Sequence, residues 1–311
     1  MIENFIFRSP NIDDIKQTHD FMNRCDISEY GESDSELEDL VNDWNNIDLG
    51  RDAWLVFTPE QNLIGYASVI PWGPDLKYDL YVDPILADKE IILGLLTHCE
   101  ARGTQLAGES GQTDKIQAKC YVAQLNQQVG SSLVELGFQT TKYVFNMQAR
   151  FDAPPHPAQW PTGISVRTAI PESDDRRIYE VIQSAFDRPG RTAPSFEDWK
   201  AFMLRPDIFK PELWFLAMKD AEMVGACLCY EYSETEQGWV RQLGVLESVR
   251  RTGLGTALLL HAFMEFYQRR FKKVGLAVES NNLRAIRFYE TVGMKQIRRY
   301  DEYSKAIEIR L

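Results

Sequence analysis

The sequence predicts a mixed α/β chain built from two tandem copies of one domain. Three observations carry this. β-rich runs alternate with helical runs in both halves. Short words recur between the halves at a nearly constant offset. Between them, residues 151–163 (FDAPPHPAQWPTG) place four prolines in thirteen residues, which excludes a helix or a central strand. The expected organisation is a first domain over 1–150, a linker over 151–163 and a second domain over 164–311.

The first half reads in order. Residues 5–8 form a short strand. Residues 13–23 form a helix, with Asn11 as N-cap and Asp13 and Asp14 in its first turn. The acidic stretch 28–46 carries Leu37, Leu40, Val41 and Trp44 at helical spacing. Residues 54–57 and 63–70 make a hairpin around a turn at 59–62. A strand at 78–82, a helix at 85–102 and a strand at 116–122 follow. A helix at 127–136 stops at Gly137, and a strand at 142–150 closes the half.

The second half repeats it. Phe7-Arg8 matches Val166-Arg167, and Trp54 to Phe57 matches Trp214 to Ala217. Residues 62–67 match 222–227 at an offset of 160. Val122, Asn126, Gly137 and Phe138 match Val278, Asn282, Gly293 and Met294 at an offset of 156.

The copies differ most around residues 240–260, VRQLGVLESVRRTGLGTALLL. A strand runs there into Arg250-Arg251-Thr252-Gly253-Leu254-Gly255-Thr256 and then into an apolar helix. Glycines let main chain approach a ligand, and a helix start offers free N–H groups and a positive dipole end. That suits a phosphate or pyrophosphate, with Arg250 and Arg251 as charge-assisted donors. Aligning Val82 with Val245 puts Ala87, Asp88, Glu90 and Ile92 at the positions of Arg250, Arg251, Gly253 and Gly255. Two acids there would repel a phosphate.

Composition bounds the function. The 311 residues carry a net charge of −12, with −13 in residues 1–150 and +1 in 151–311. An acidic half argues against nucleic acid and would concentrate a cationic substrate. No apolar run reaches membrane-spanning length, and MIENFIFRSP lacks the pattern of a secretory leader. Cys25, Cys99, Cys120, Cys227 and Cys229 read as free thiols of a reduced, cytoplasmic chain, with no metal site expected at Cys227–Cys229.

The R-x-x-G-x-G turn is followed about thirty residues later by a strand at 274–280 and a helix at 282–291. The latter carries Asn282, Ala285, Tyr289, Gly293 and Met294. Together these resemble the GCN5-related N-acetyltransferase (GNAT) superfamily, in the tandem two-domain form of the mycothiol synthase type. The resemblance implies a mostly antiparallel mixed sheet flanked by helices in each domain, splayed between its fourth and fifth strands. It implies acetyl-CoA as cosubstrate and no metal. The partner would be a small-molecule amine acceptor, with no nucleic acid and no membrane, in a monomer or homodimer. Leu243, Gly244 and Val245 on the fourth strand would meet the pantetheine arm, with the Val245 N–H facing the thioester oxygen. Arg250, Arg251, Thr252, Gly253, Leu254, Gly255 and Thr256 would hold the pyrophosphate. Asn282 would bind pantetheine or cap its helix, and Tyr289 would serve the departing thiolate. Trp239 stands where some members carry a glutamate base, so Glu231 becomes the first substitute, ahead of Glu234, Glu236 and Glu279. The first domain reads as a copy that has lost the coenzyme loop. The alternative to catalysis is a non-catalytic acyl-CoA-binding or sensor protein.

Overall fold

A computed structural model describes residues 5–110, 116–188, 191–205 and 208–308. The start of the amino-terminal stretch, residues 1–4, and the last three residues of the second domain as read from sequence lie outside the described residues. The chain divides into two compact units. The first comprises Met1–Phe145, Glu279–Asn281 and Arg298–Leu311, and the second Asn146–Val278 and Asn282–Ile297. No described helix is long and apolar enough to cross a membrane.

In the first unit β1 (Ile6–Arg8), β2 (Ala53–Phe57), β3 (Leu63–Trp72) and β4 (Asp75–Val82) form an antiparallel meander. β5 (Gln117–Ala123) runs parallel to β4. The first eight residues of β3, LIGYASVI, are all buried, as a strand covered on both faces requires. One face packs on α1 (Ile15–Tyr30) and α2 (Leu37–Asn45), through Phe21, Leu40, Trp44, Leu55 and Tyr66. The other packs on α4 (Lys89–Glu109) and α5 (Gln127–Glu135), through Ile64, Ile91, Leu95 and Phe138. A single turn of helix, α3 (Leu49–Asp52), precedes β2.

Local chemistry adjusts the expected bounds. The acidic stretch divides because α1 stops at Gly31, whose φ of +79° is the left-handed C-cap. The helix expected from residue 85 begins at Lys89. Asp83 first takes the N–H groups of Ile85 and Leu86, both at 2.9 Å. Asp88 then caps the helix, accepting from Ile91 N–H at 3.0 Å.

In the second unit β7 (Ile164–Thr168), β8 (Trp214–Lys219), β9 (Glu222–Tyr232) and β10 (Gln237–Val245) repeat the meander, and β11 (Lys273–Glu279) runs parallel to β10. α6 (Asp175–Ala185) and α7 (Phe196–Met203) cover one face, through Ile178, Ile182, Trp199, Trp214 and Leu228. α8 (Leu254–Gln268), with seven buried residues, packs against β9 and β10. The proline-rich stretch forms no helix or strand. It lies on α8 through Phe151 against Phe263 (5.4 Å) and Trp160 against His261 (5.6 Å).

The duplication extends to side-chain detail. In the first unit Arg8 grips Asp14 with two bonds of 2.7 and 2.6 Å, and Asn11 N–H donates to the same carboxylate. In the second, Arg167 grips Asp174 at 2.6 and 2.8 Å, with Ile170 N–H as the added donor. Gly65 pairs with Val82, and Gly225 with Val245. The closing strands do not follow chain order. In β12 (Lys295–Ala306), residues 300–306 pair antiparallel with β5 and complete the first unit's sheet. In β6 (Gln139–Arg150), residues 146–150 belong to the second unit.

Candidate functional site

β10 and β11 pair over three residues only, Gln237↔Lys273 to Trp239↔Gly275. A bulge in β10 then shifts its register on β9 between Val240 and Gln242, and bulges bend the strand that carries them. Beyond it β10 keeps β9 on one side, down to Val245↔Gly225. Leu246 N–H donates to Val224 O on β9 at 2.9 Å. Main-chain groups alternate along a strand, so those of Leu243 and Val245 point away from β9 into the gap. The Val245 carbonyl accordingly receives Arg250 Nε at 3.2 Å.

Close packing fixes this edge from behind. A Cβ on Gly244 would stand 2.9 Å from the Ala185 Cβ and 3.0 Å from Ile182 Cδ1. Only glycine lets the end of α6 lie directly on β10. Arg250 Nη2 donates to the Ala185 carbonyl at 3.0 Å, tying that helix end to the turn after β10.

The turn is built for the start of α8. Residues 247–249 make one 3-10 turn, and Thr252 Oγ1 donates to Val249 O at 2.8 Å. Arg251 (φ +64°) and Gly253 (φ +91°) are left-handed. Gly253 is the N-cap of α8 and supplies no side-chain cap, and the first turn holds no acid. The leading N–H groups of α8 are therefore left for a ligand, at the positive end of the dipole.

These parts line one cavity of about 410 Å³, within the range of small-molecule sites. Of the expected residues, Leu243, Gly244, Val245, Arg250, Arg251, Gly253, Leu254, Gly255, Thr256, Asn282 and Tyr289 all line it, while Thr252 braces the turn beside it. Among the described residues the lining includes three arginines and no carboxylate, an electrostatic fit to an anion. The third is Arg284, which the sequence reading did not single out. Its position in the first turn of α9 (Leu283–Thr291) sets a cation against the dipole, and that is the signal that marks it. Phe186 and Phe288 also line the cavity and were not anticipated.

Asn282 acts as the N-cap of α9, its Oδ1 accepting from Ala285 N–H at 3.2 Å. Tyr289 packs against Phe288 with ring centroids 5.2 Å apart. Burial, reinforced by the nearby Cys227 sulfur, pushes its hydroxyl up to about 12, so it stays protonated at neutral pH. Glu231 does not line the cavity: it is ion-paired to Lys210, and Arg269 Nη1 lies 3.5 Å from its other oxygen. Glu236 pairs with Lys272 at 2.6 Å and Glu279 with Lys142 at 3.2 Å, and neither lines the cavity; nor does Glu234.

The first unit closes the corresponding helix start on itself. Asp88 caps α4 with its own carboxylate, and Glu90 sits in the first turn. An anion is already supplied where the second unit leaves a place for one.

Residues 176–294 match the Acetyltransferase (GNAT) family. Curated relatives include a mycothiol acetyltransferase from Acidothermus cellulolyticus, 29% identical over 51% of this chain and 53% of that protein. Another, from Streptomyces coelicolor, is 28% identical over 63% of this chain and 62% of its own length. The chain spans about half the length of the curated relatives it matches. Among solved structures, a GCN5-related N-acetyltransferase from Sphaerobacter thermophilus aligns with a TM-score of 0.84 at 28% identity, covering 98% of this chain and 96% of that one. A tandem GNAT protein from the clavulanic acid biosynthesis pathway shares the fold, with a TM-score of 0.72 at 16% identity over 98% and 99% of the two chains.

Proposed function

We propose that the chain is an acetyl-CoA-dependent N-acetyltransferase of the GNAT type, acting on a small-molecule amine by direct attack in a ternary complex; the match over residues 176–294 and the likeness to a solved GCN5-related N-acetyltransferase support this reading. One observation carries the reading: the bare edge at Leu243 and Val245 leads straight into an uncapped, arginine-flanked helix start. An acyl carrier with a phosphate tail fits those residues. Acetyl-CoA supplies an activated acetyl group as a thioester. The first-turn N–H groups of α8, with Arg251 and Arg284, hold the pyrophosphate. The exposed main-chain groups of Leu243 and Val245 take the amides of the arm. Val245 N–H is the donor aimed at the oxygen on which charge develops.

Arg250 acts differently from its expected role as a phosphate donor. Its Nε and Nη2 are engaged by the Val245 and Ala185 carbonyls, so it ties the end of β10 to the end of α6 beside the cavity. Tyr289 Oη keeps its proton at neutral pH and delivers it to the leaving sulfur. No carboxylate lines the cavity among the described residues, so the attacking amine loses its proton to water. The mycothiol acetyltransferase relatives support a small-molecule acceptor.

The test is thiol release from acetyl-CoA across a panel of amines, with wild type and Tyr289→Phe. Turnover should fall about 10²–10⁴-fold in the variant, the usual contribution of general acid–base catalysis. Acetyl-CoA affinity should hold. Unchanged turnover removes Tyr289 from the mechanism. Acetyl-CoA binding without turnover on any amine replaces the enzyme with an acyl-CoA-binding sensor.

A further inference from the structure

The ladders beside the two gaps run in the same register, so a position in one unit identifies a position in the other. Lys77 pairs with Ile70 on β3, and Trp239 with Tyr230 on β9. Asp79 pairs with Ser68, and Gln242 with Leu228. The far side agrees: Lys77 lies opposite Lys119 on β5, and Trp239 opposite Gly275 on β11. Trp239 and Gln242 are thus the counterparts of Lys77 and Asp79, with the bulge of β10 between them.

In the first unit both counterparts line the cavity in the gap, beside Cys25 and Asp26 of α1. The matching residues of α6, Ala185 and Phe186, line the cavity of the second unit. Gln242 stands two places before Gly244, which lines that cavity, and side chains two apart on a strand share a face. Both lines of argument put Gln242 on the α6 side of the second gap, next to the main chain that takes the acyl arm.

The chemistry at these positions has changed. Lys77 and Asp79 satisfy each other at 2.8 Å. Trp239 and Gln242 are neutral and half-buried. Trp199 Nε1 donates to Gln242 Oε1 at 3.0 Å. An indole N–H can only donate, so it decides which way round the amide lies and leaves the two Nε2 hydrogens over. Trp199 is 2% exposed in the core between α6, α7 and the sheet, so the brace is firm. Among the described residues Nε2 has no acceptor, and it is not sealed from solvent. Trp239 lays its ring on β11: a Cβ on Gly275 would stand 2.7 Å from Trp239 Cζ3. The place where the strands part therefore has an apolar wall and one aimed amide donor.

We propose that Gln242 is a specificity-determining residue for the acceptor. Its Nε2 donates to an oxygen that the acceptor carries close to its amine, while the carbon frame rests against Trp239. Amines with a nearby hydroxyl, ether or carbonyl oxygen are chosen over plain alkylamines. This rests on the acetyltransferase reading of the second unit. The first unit, with Lys77 and Asp79 closed on each other, offers no such donor at these positions.

The test is steady-state kcat/KM of the full chain at saturating acetyl-CoA on matched amines that differ by one oxygen for one methylene. The pairs are 2-methoxyethylamine with butylamine, and 4-(aminomethyl)tetrahydropyran with cyclohexylmethylamine. The oxygen also makes each amine less basic, and comparing the ratio between wild type and variant cancels that effect. The oxygen member should win in wild type. Gln242→Leu should cut its advantage about three- to tenfold, the worth of one neutral hydrogen bond. Gln242→Glu keeps an oxygen for Trp199 but offers no donor, and should cut it too. Thermal melts and acetyl-CoA titration identify folded variants with the cleft intact. An advantage that both folded variants keep in full overturns the role of Gln242 and leaves the enzyme standing. Wild type that binds acetyl-CoA but turns over no amine removes the acetyltransferase reading, and the role of Gln242 with it.

Discussion

Replacing Gly244 by alanine tests how the second unit's cleft is held open. The added Cβ would meet the Ala185 Cβ at 2.9 Å and Ile182 Cδ1 at 3.0 Å, where carbon atoms prefer 3.5–4.0 Å. The end of α6 must therefore retreat by roughly 1 Å. The Ile182 side chain is anchored in a packed interior, so relief is partial, and overpacking of this kind costs about 1–3 kcal/mol. A unit of this size loses about 2–4 °C of Tm per kcal/mol, so the melt should fall by about 2–12 °C. The same retreat stretches the 3.0 Å bond from Arg250 to the Ala185 carbonyl and loosens the Val245 peptide, so acetyl-CoA affinity should weaken as well. Ala185 ends α6, so Ala185→Gly there removes the obstructing methyl at little helical cost. The double variant should regain most of the lost stability, a coupling of about 1–2 kcal/mol between touching residues. Differential scanning calorimetry of the four proteins reads it. A Gly244→Ala protein as stable as wild type, or no relief from Ala185→Gly, refutes the close approach.

Two further predictions concern the first unit and the shared turn. Arg102 Nε and Asp52 Oδ1 lie 2.5 Å apart, both about 7% exposed, so Asp52→Ala should cost about 3 kcal/mol, leaving the buried Arg102 only the more exposed Glu109 at 3.6 Å and Gln105 at 3.3 Å. Urea unfolding measures it, and Asp52→Ala with Arg102→Met should recover most of the loss. Arg167, with Ile170 N–H, holds the Asp174 carboxyl below its usual value. That stability is complete above the ordinary carboxylate value near 4 and disappears as pH falls through the lowered native value, so Asp174→Asn should lose more at pH 7 than at pH 3. A difference that stays constant between those pH values removes the pair from the acid limb.

Much of this was legible because the information is local. The turn after β10 is written in Gly253 and its arginines, since a left-handed N-cap and an uncapped helix start follow from a few adjacent residues. Asn126 and Asn282, matched by offset alone, both cap their helices through Oδ1, at 3.3 and 3.2 Å. The destination of the last strand was not legible. Residues 300–306 specify alternating faces but not which of several open edges they join, and their partner β5 lies some 180 residues away. Arg250 and Glu231 show the other limit. Their types suggested a phosphate donor and a base, and the Ala185 carbonyl and the Lys210 ammonium that meet them come from elsewhere in the chain, contacts that local sequence does not announce.

Calorimetric titration of acetyl-CoA into the intact chain, beside Gly253→Asp, tests the central claim most directly. One site per chain in wild type and none in the variant is the predicted result, because α8 begins uncapped while α4 begins under Asp88. Two sites per chain would mean that the first unit still holds the coenzyme. No binding to wild type would contradict the account outright.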